Sequence, residues 1–361
     1  MEQALAEGVF PGAALLVAVG GEAVVHRTYG LARRAGGLQL LTPEARFDLA
    51  SLSKALATSV AAMVATEEDL IRLHEPLDQT LDLKAPLGKV TPWHLLSHSS
   101  GLPAWLPLHL KAGEAGLLEA PPDQRRAWMR RQVVETPLDY SPGSRSVYSD
   151  LGFMVLEWLL ESRTGERLDG YLRRRFYEPL GLLHTGYVDL DAPREAAAAA
   201  DSSGPFVATE RCSWRGRVLQ GEVHDHLTWV MGGVCGQAGL FSTAWEVHRV
   251  LADLWESWLG VGGTLASDTV RRFWRAAAVP GSCFRLGWDG PSPTGYSAAG
   301  RLMDRAAVGH LGFTGCSVWL DPRAGYWLVL LTNRVHPRAD NRSIAGFRPK
   351  LHDLLARELR L

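Results

Sequence analysis

The apolar positions of residues 47 to 65, FDLASLSKALATSVAAMVA, change their period part-way along. Phe47 to Ala50 read as the end of a short extended run. From Ser51 onward, Leu52, Ala55, Leu56, Val60, Met63 and Val64 recur at helical spacing. The pattern predicts a buried helix that begins at or beside Ser51. Upstream, residues 2 to 8 read as a short helix ending near Gly8. Gly12 to Gly30 then carry two β-prone apolar runs around Gly20 and Gly21, a hairpin signal.

From about residue 70 to 205 the pattern is helical with Pro-rich breaks. It includes TPWHLLSH (91 to 98), DQRRAWMRRQVVE (123 to 135), LGFMVLEWLLESRTG (151 to 165) and ERLDGYLRRRFYEPLG (166 to 181). Residues 102 to 122, long, apolar and rich in Gly and Pro, are predicted to be a loop serving as a binding wall or lid. The Ala-rich run from Arg194 to Ala200 and the following DSSGP read as a surface crossing. Strand patterns return in 309 to 322 and 325 to 335, expected to form a second hairpin turning at Asp321 to Gly325. An amphipathic helix closes the chain from about Ser343 to Leu359. Strands at both ends of a helical middle predict a mixed α/β (α+β) fold, an antiparallel sheet flanked by helices. The expected lobes are 1–70 with 206–361, and an inserted helical lobe over 71–205, with the site in the cleft between them.

Composition narrows the partners. A chain of 361 residues can bury a large core, and 46% hydrophobic with 21% charged residues is ordinary for a globular protein. A formal net charge of −1 supplies no field for nucleic acid or an anionic membrane. A small neutral or mixed-charge ligand fits better, while oligomeric state is left open. Cys212, Cys235, Cys283 and Cys316 lie far apart and read as reduced and mostly buried. No window reaches membrane-spanning length, and the start lacks a secretory pattern, so the expectation is cytoplasmic, or periplasmic or secreted if a leader was removed.

Three stretches carry candidate chemistry. Ser51 and Lys54 share one helix face a turn apart, which suits a hydroxyl nucleophile and an amine that activates it. Burial and the positive end of the helix both predict a partly neutral Lys54. S-x-x-K alone is a common chance match, so the other stretches decide. In YSPGSRSVYSD, Tyr148 precedes a helix starting near Ser149 or Asp150, and its phenol can both accept and donate a proton. In His310-Leu311-Gly312-Phe313-Thr314-Gly315, placed on a strand, Gly312 allows close approach of a ligand, and the Phe313 N–H can face the same oxyanion as the Ser51 N–H.

Together these stretches resemble the serine β-lactamase and penicillin-binding-protein superfamily, particularly its class C-like members and the related esterases. FPGAALLVAV and FDLASLSK open the match, and TPWHLLSHSSGLP resembles the L-L-x-H-x-S-G-L segment. SPGSRSVYSDLGF resembles P-G-x-x-x-x-Y-S-N, and GHLGFTG resembles the K-T-G or H-x-G strand. The resemblance implies a β-lactamase/transpeptidase-like fold and acyl transfer through an acyl-serine, without metal or organic cofactor, on a small ester, amide or lactam. Ser51 is then the nucleophile, Lys54 a general base or proton shuttle and Tyr148 the partner acid/base, with the choice of base open. Ser51 and Phe313 supply oxyanion N–H groups, and His310 stands where many relatives have lysine.

Two departures bear on substrate. Asp150 replaces an asparagine and only accepts hydrogen bonds, and if ionised beside Lys54 it favours the ammonium, turning that lysine toward orienting Tyr148. His310 offers a weaker, pH-dependent charge for a substrate carboxylate. Both lean toward esters or uncharged amides over penicillins, with β-lactamase, D-amino-acid peptidase or a non-catalytic relative as alternatives. His94 and His98 lack the glutamate of a zinc motif, and His224-Asp225-His226 is expected to line or brace the cleft. Gly232, Gly233, Gly236 and Gly239 form no nucleotide fingerprint and are expected to pack near the site. Trp93, Trp105 and Trp229 are candidates for an apolar acyl pocket.

Overall fold

The computed structural model describes residues 1–193 and 205–359, so the surface crossing expected over 194 to 205 lies, but for Pro205, outside the described residues. A six-stranded antiparallel sheet runs in the order β3-β2-β1-β11-β10-β9. Its strands are β1 (Gly12–Val19), β2 (Glu22–Arg33), β3 (Gln39–Leu40), β9 (Val308–Leu311), β10 (Ser317–Asp321) and β11 (Tyr326–Thr332). β1 is apolar throughout because both of its faces are covered. Ala14, Leu16 and Ala18 enter the main core with Val329 and Leu331. Ala13, Leu15 and Val17 enter a second core with Leu328, Leu330 and Ile344. The hairpin turn falls at Gly20 and Gly21, both at positive φ, as the sequence predicts.

The expected strand over 309 to 322 is two strands. β9 and β10 pair antiparallel with Ser317 opposite Leu311. The residues between them turn, with the Gly312 N–H donating to the Cys316 carbonyl at 2.8 Å and Gly315 at φ 111°. Gly312 and Gly315 mark the reversal, because glycines inside a strand pattern signal a break or bulge as readily as a close approach. The turn at Asp321 to Gly325 is where it was expected, with Asp321 facing Tyr326.

Two small sheets complete the strands. β4 (Phe47–Asp48), β8 (Leu240–Ser242) and β5 (Gly186–Tyr187) lie in the order β4-β8-β5, and β6 (Arg211–Cys212) pairs with β7 (Arg217–Val218). The helices are α1 (Glu2–Ala6), α2 (Val60–Glu67), α3 (Pro92–Leu96), α4 (Leu108–Glu114), α5 (Pro122–Val134), α6 (Asp150–Thr164), α7 (Leu168–Leu172), α8 (His226–Val230), α9 (Ala244–Leu259), α10 (Ser267–Trp274) and α11 (Ile344–Glu358). Helix α4 interrupts the stretch expected to be a plain loop. Leu108 and Ala112, one turn apart, are buried and anchor it. None of these helices is long and apolar enough to cross a membrane.

The central helix is wound in two ways. Lys54–Ser59 form a π-helical segment that passes into α2, and every residue from Leu52 to Val64 is buried. A helix buried on all sides must satisfy its polar groups internally. Thr58 Oγ1 donates to the Gly236 carbonyl at 2.6 Å, and Ser59 Oγ to the Leu286 carbonyl at 2.9 Å. The loop carrying Gly236 is itself fixed to α5 and α6. Arg126 donates to the carbonyls of Met231 and Val234 and to Glu157, which accepts the Gly236 N–H at 3.0 Å. Glu157 is fully buried, so losing Arg126 would leave its charge to Arg130, 3.8 Å away, and to the Gly236 N–H. This buried pair brings residues 231 to 237 alongside the start of the central helix.

Candidate active site

Ser51 projects from a tight turn. Ala50, just before it, lies in the left-handed region at φ 48°, a conformation that costs a non-glycine residue about 1–3 kcal/mol. The Ala50 N–H donates to Asp48 Oδ1 at 2.8 Å, which offsets part of that strain. The Ser51 N–H, one residue on, has no acceptor among the described residues.

Lys54 is completely buried, and its Nζ lies 3.2 Å from Ser51 Oγ, 2.7 Å from Asp150 Oδ1 and 2.8 Å from the Gln237 carbonyl oxygen. Three acceptors match the three hydrogens of an ammonium; a neutral amine would turn a lone pair on one of them. Burial works against the charge, but the Asp150 carboxylate and the Tyr148 phenol outweigh it and hold the amine above its ordinary value. The partly neutral Lys54 expected from burial and helix position is therefore reversed, and Asp150 is the cause. Burial raises Asp150 in turn, and the Lys54 ammonium opposes it, so the two stand as an ion pair. Asp150 faces Lys54, and it is not among the residues that line the cavity at Ser51.

Tyr148 reaches the site from just ahead of α6, whose first turn is capped by Ser149 Oγ accepting the Gly152 N–H. Its hydroxyl interacts with the side chains of both Lys54 and Ser51. Burial raises the phenol above its ordinary value and the Lys54 charge opposes that, so Tyr148 is protonated at neutral pH. The ring packs 4.5 Å from His98 and 5.9 Å from His310, centroid to centroid. His98 Nδ1 accepts the Ser149 N–H at 3.1 Å, and burial together with Lys54 keeps this imidazole neutral. Its role is to hold the Tyr148 segment. Among the described residues, no group of three or more His, Cys, Asp or Glu side chains forms a metal site.

The third stretch differs in detail from its expectation. His310 lies within β9, one residue before its end, at 3% exposed, and burial, aided by the Lys54 charge, lowers it to about 3. It is neutral near pH 7 and does not supply the titrating positive charge expected of it. Phe313 lies on the turn after β9, outside the strand, 46% exposed as a residue and with its N–H without an acceptor among the described residues. Gly312 serves a protein contact: a Cβ there would sit 2.4 Å from the Leu49 carbonyl oxygen.

These groups open into a cavity of about 400 Å³ lined by Ser51, Tyr148, His310, Gly312 and Phe313. Arg334, Arg342 and Arg348 also line it, and none has a carboxylate at ion-pair distance among the described residues. Arg348 is 5% exposed, with Nη2 donating to the Cys316 carbonyl and Nε unpartnered. Burial, with Arg342 and Arg348 nearby, lowers Arg334 to about 10. The sequence reading missed these arginines and the Gln237 carbonyl; the arginines' signal was three basic residues at the approach to and start of the last helix. Trp93, Trp105 and Trp229 do not line the cavity. They pack against His74 and His94, His109, and Trp214 respectively.

His310 gives a pH prediction with a definite sign. Its folded value of about 3 lies below its ordinary 6.5, so the unfolded chain takes up a proton that the folded chain refuses, and stability falls as pH drops from about 6.5 toward 3. His310→Gln removes this contribution. Its urea midpoint is expected to fall less steeply than the wild type's over that window, and equal slopes would contradict the assignment.

The Beta-lactamase family model matches residues 1–349. An N-acetylmuramyl-L-alanine amidase of Bacillus subtilis (strain 168) is 31% identical over 368 residues, 93% of this chain and 80% of that protein. A putative D-alanyl-D-alanine carboxypeptidase of Salmonella agona (strain SL483) is 31% identical over 354 residues, covering 92% of this chain and 81% of that protein. The structure of EstCE1, a hydrolase with promiscuous acyltransferase activity, shares the fold at a TM-score of 0.70 and 21% identity, over 97% of this chain and 96% of that one. The chain belongs to the β-lactamase family, a branch of the serine β-lactamase and penicillin-binding-protein superfamily whose members are serine hydrolases.

Proposed function

We propose that this protein hydrolyses a small ester or amide through an acyl-serine intermediate formed on Ser51, with esterase-like turnover of short acyl esters. The observation that carries the reading is the threefold engagement of the Lys54 ammonium, which leaves Ser51 Oγ between a fixed positive charge and the Tyr148 phenol. In acylation, Ser51 Oγ bonds to the substrate carbonyl carbon while Tyr148 relays a proton: its own hydrogen moves to the leaving oxygen or nitrogen as that bond breaks, and the Ser51 proton passes to the Tyr148 oxygen in its place. The Lys54 charge stabilises the phenolate character that develops in between, and Asp150 keeps Lys54 charged. The free N–H groups of Ser51 and Phe313 receive the oxyanion. In the second half-reaction water attacks the acyl carbon, gives its proton to Tyr148, and Ser51 leaves with a proton returned by the phenol.

A second reading, hydrolysis of an amide or lactam that carries a carboxylate, draws on the arginines of the cavity and on the carboxypeptidase named among the relatives. His310, being neutral, leaves Arg342 and Arg348 as the charges available to such a group.

Ser51→Ala is expected to abolish covalent labelling by a fluorophosphonate probe and turnover of p-nitrophenyl butyrate; retained labelling would refute the nucleophile. Arg342→Ala, a change at an exposed position, separates the two substrate readings. The second reading expects it to raise KM about 10-fold for a carboxylate-bearing substrate such as nitrocefin, with the neutral ester unchanged. Equal kinetics on both substrates would leave the neutral-ester reading standing alone.

A further inference from the structure

Asp48 is the point where the two turns flanking the cavity are tied together. It ends β4, is 2% exposed, and takes no part in the steps described for the reaction. Its carboxylate accepts two backbone N–H groups, from Ala50 at 2.8 Å on Oδ1 and from His224 at 2.6 Å on Oδ2. Its own carbonyl accepts the Thr314 hydroxyl at 2.8 Å and lies 3.7 Å from the Cys316 thiol. Ala50 directly precedes Ser51, and Thr314 directly follows Phe313. The two free N–H groups are therefore each one residue from an atom bonded to Asp48, through its side chain on one side and its main chain on the other.

We propose that Asp48 is a positioning residue that sets the spacing and direction of the Ser51 and Phe313 N–H groups, and so the strength of the oxyanion contact. The inference rests on the reading of Ser51 as nucleophile. The left-handed Ala50 is what turns the Ser51 N–H away from the chain, and it is held there by a local side-chain bond of the Asx type. On the other side, Thr314 Oγ1 anchors the turn whose opposite flank is held by Arg334 donating to the Phe313 carbonyl.

The carboxylate chemistry is specific. Two inward-facing N–H groups need two acceptor oxygens, which an ionised aspartate has. Asparagine has one, and its NH₂ would face the other N–H. Protonation has the same effect, since the added hydrogen turns one acceptor into a donor. The groups facing Asp48 are His224 and Asp225 on the segment before α8, and Cys316 at the turn into β10. Burial raises the carboxyl above its usual range while the His224 and Ala50 N–H groups oppose that. Loss of the ionised form on acidification therefore weakens the oxyanion contact as well as the fold.

The test is the steady-state kinetics of Asp48→Asn and Thr314→Val with p-nitrophenyl butyrate from about pH 4 to about pH 9, with urea unfolding of each protein alongside. The expected result for Asp48→Asn is a kcat lower by about 100-fold with KM within about 2-fold of wild type, and an acid limb that is displaced or lost. Thr314→Val, which leaves the carboxylate intact, should lower kcat by about 10-fold and keep the acid limb, and it carries the test if the aspartate variant does not fold. Wild-type kcat and pH profile in folded variants would overturn the proposal. So would a fall in kcat matched by an equal loss of folded protein. The inactive Ser51→Ala enzyme distinguishes the two levels: if it is inactive while both variants behave as wild type, the positioning role alone fails, and if it remains active the reading beneath it fails too.

Discussion

A buried ammonium with three oxygen partners is the constraint that the site is built to satisfy. Taking Lys54 out of water costs several kcal/mol after relaxation, and the cost is tolerable only if each N–H finds an acceptor and one acceptor is charged. Those acceptors come from three distant parts of the chain: Ser51 on the turn before the central helix, Asp150 at the start of α6, and the Gln237 carbonyl on the loop after α8. Each part is independently fixed. Asp48 holds the first, the Ser149 cap and His98 hold the second, and the Arg126–Glu157 pair with Thr58 holds the third. The polar interior of this region is thus the frame of the chemistry, since moving any one support leaves a donor of Lys54 without a partner.

The same charge organises its surroundings. It opposes the burial-driven rise of Tyr148, and it adds to the burial that keeps His98 and His310 neutral. One cation among two uncharged imidazoles and a phenol gives a field directed at Ser51 Oγ, without a second positive group competing for the Asp150 carboxylate. Farther out, the three arginines face the cavity without carboxylate partners, so positive charge is offered to a ligand there and withheld from His310.

Much of this was legible in the chain. The period change at Phe47 to Ser51, the hairpin glycines and the polar start of α6 are local signals, and the superfamily resemblance placed Ser51, Lys54 and Tyr148 in one site. The remainder was hidden for physical reasons. Gln237 contributes a backbone carbonyl, which has no residue signature. The charge of Lys54 depends on burial and Asp150 acting in opposite directions, and only distance decides between them. The split of 309 to 322 into two strands fell at Gly312 to Gly315, glycines that read as lying on one strand, and α4 lay between glycines and prolines that read as loop. Gly312 reads as leaving room for a ligand at the backbone, whereas the group packed against it is the Leu49 carbonyl.

The state of Lys54 can be read directly from the ¹⁵N resonance of its Nζ, followed by NMR as pH is raised in the wild type and in Asp150→Asn. The wild-type group is expected to be still an ammonium at its ordinary titration point of about 10.5, and removing the carboxylate to bring its titration down by more than about one pH unit. A wild-type Lys54 that loses its proton near neutral pH, or one that titrates identically without Asp150, would contradict it.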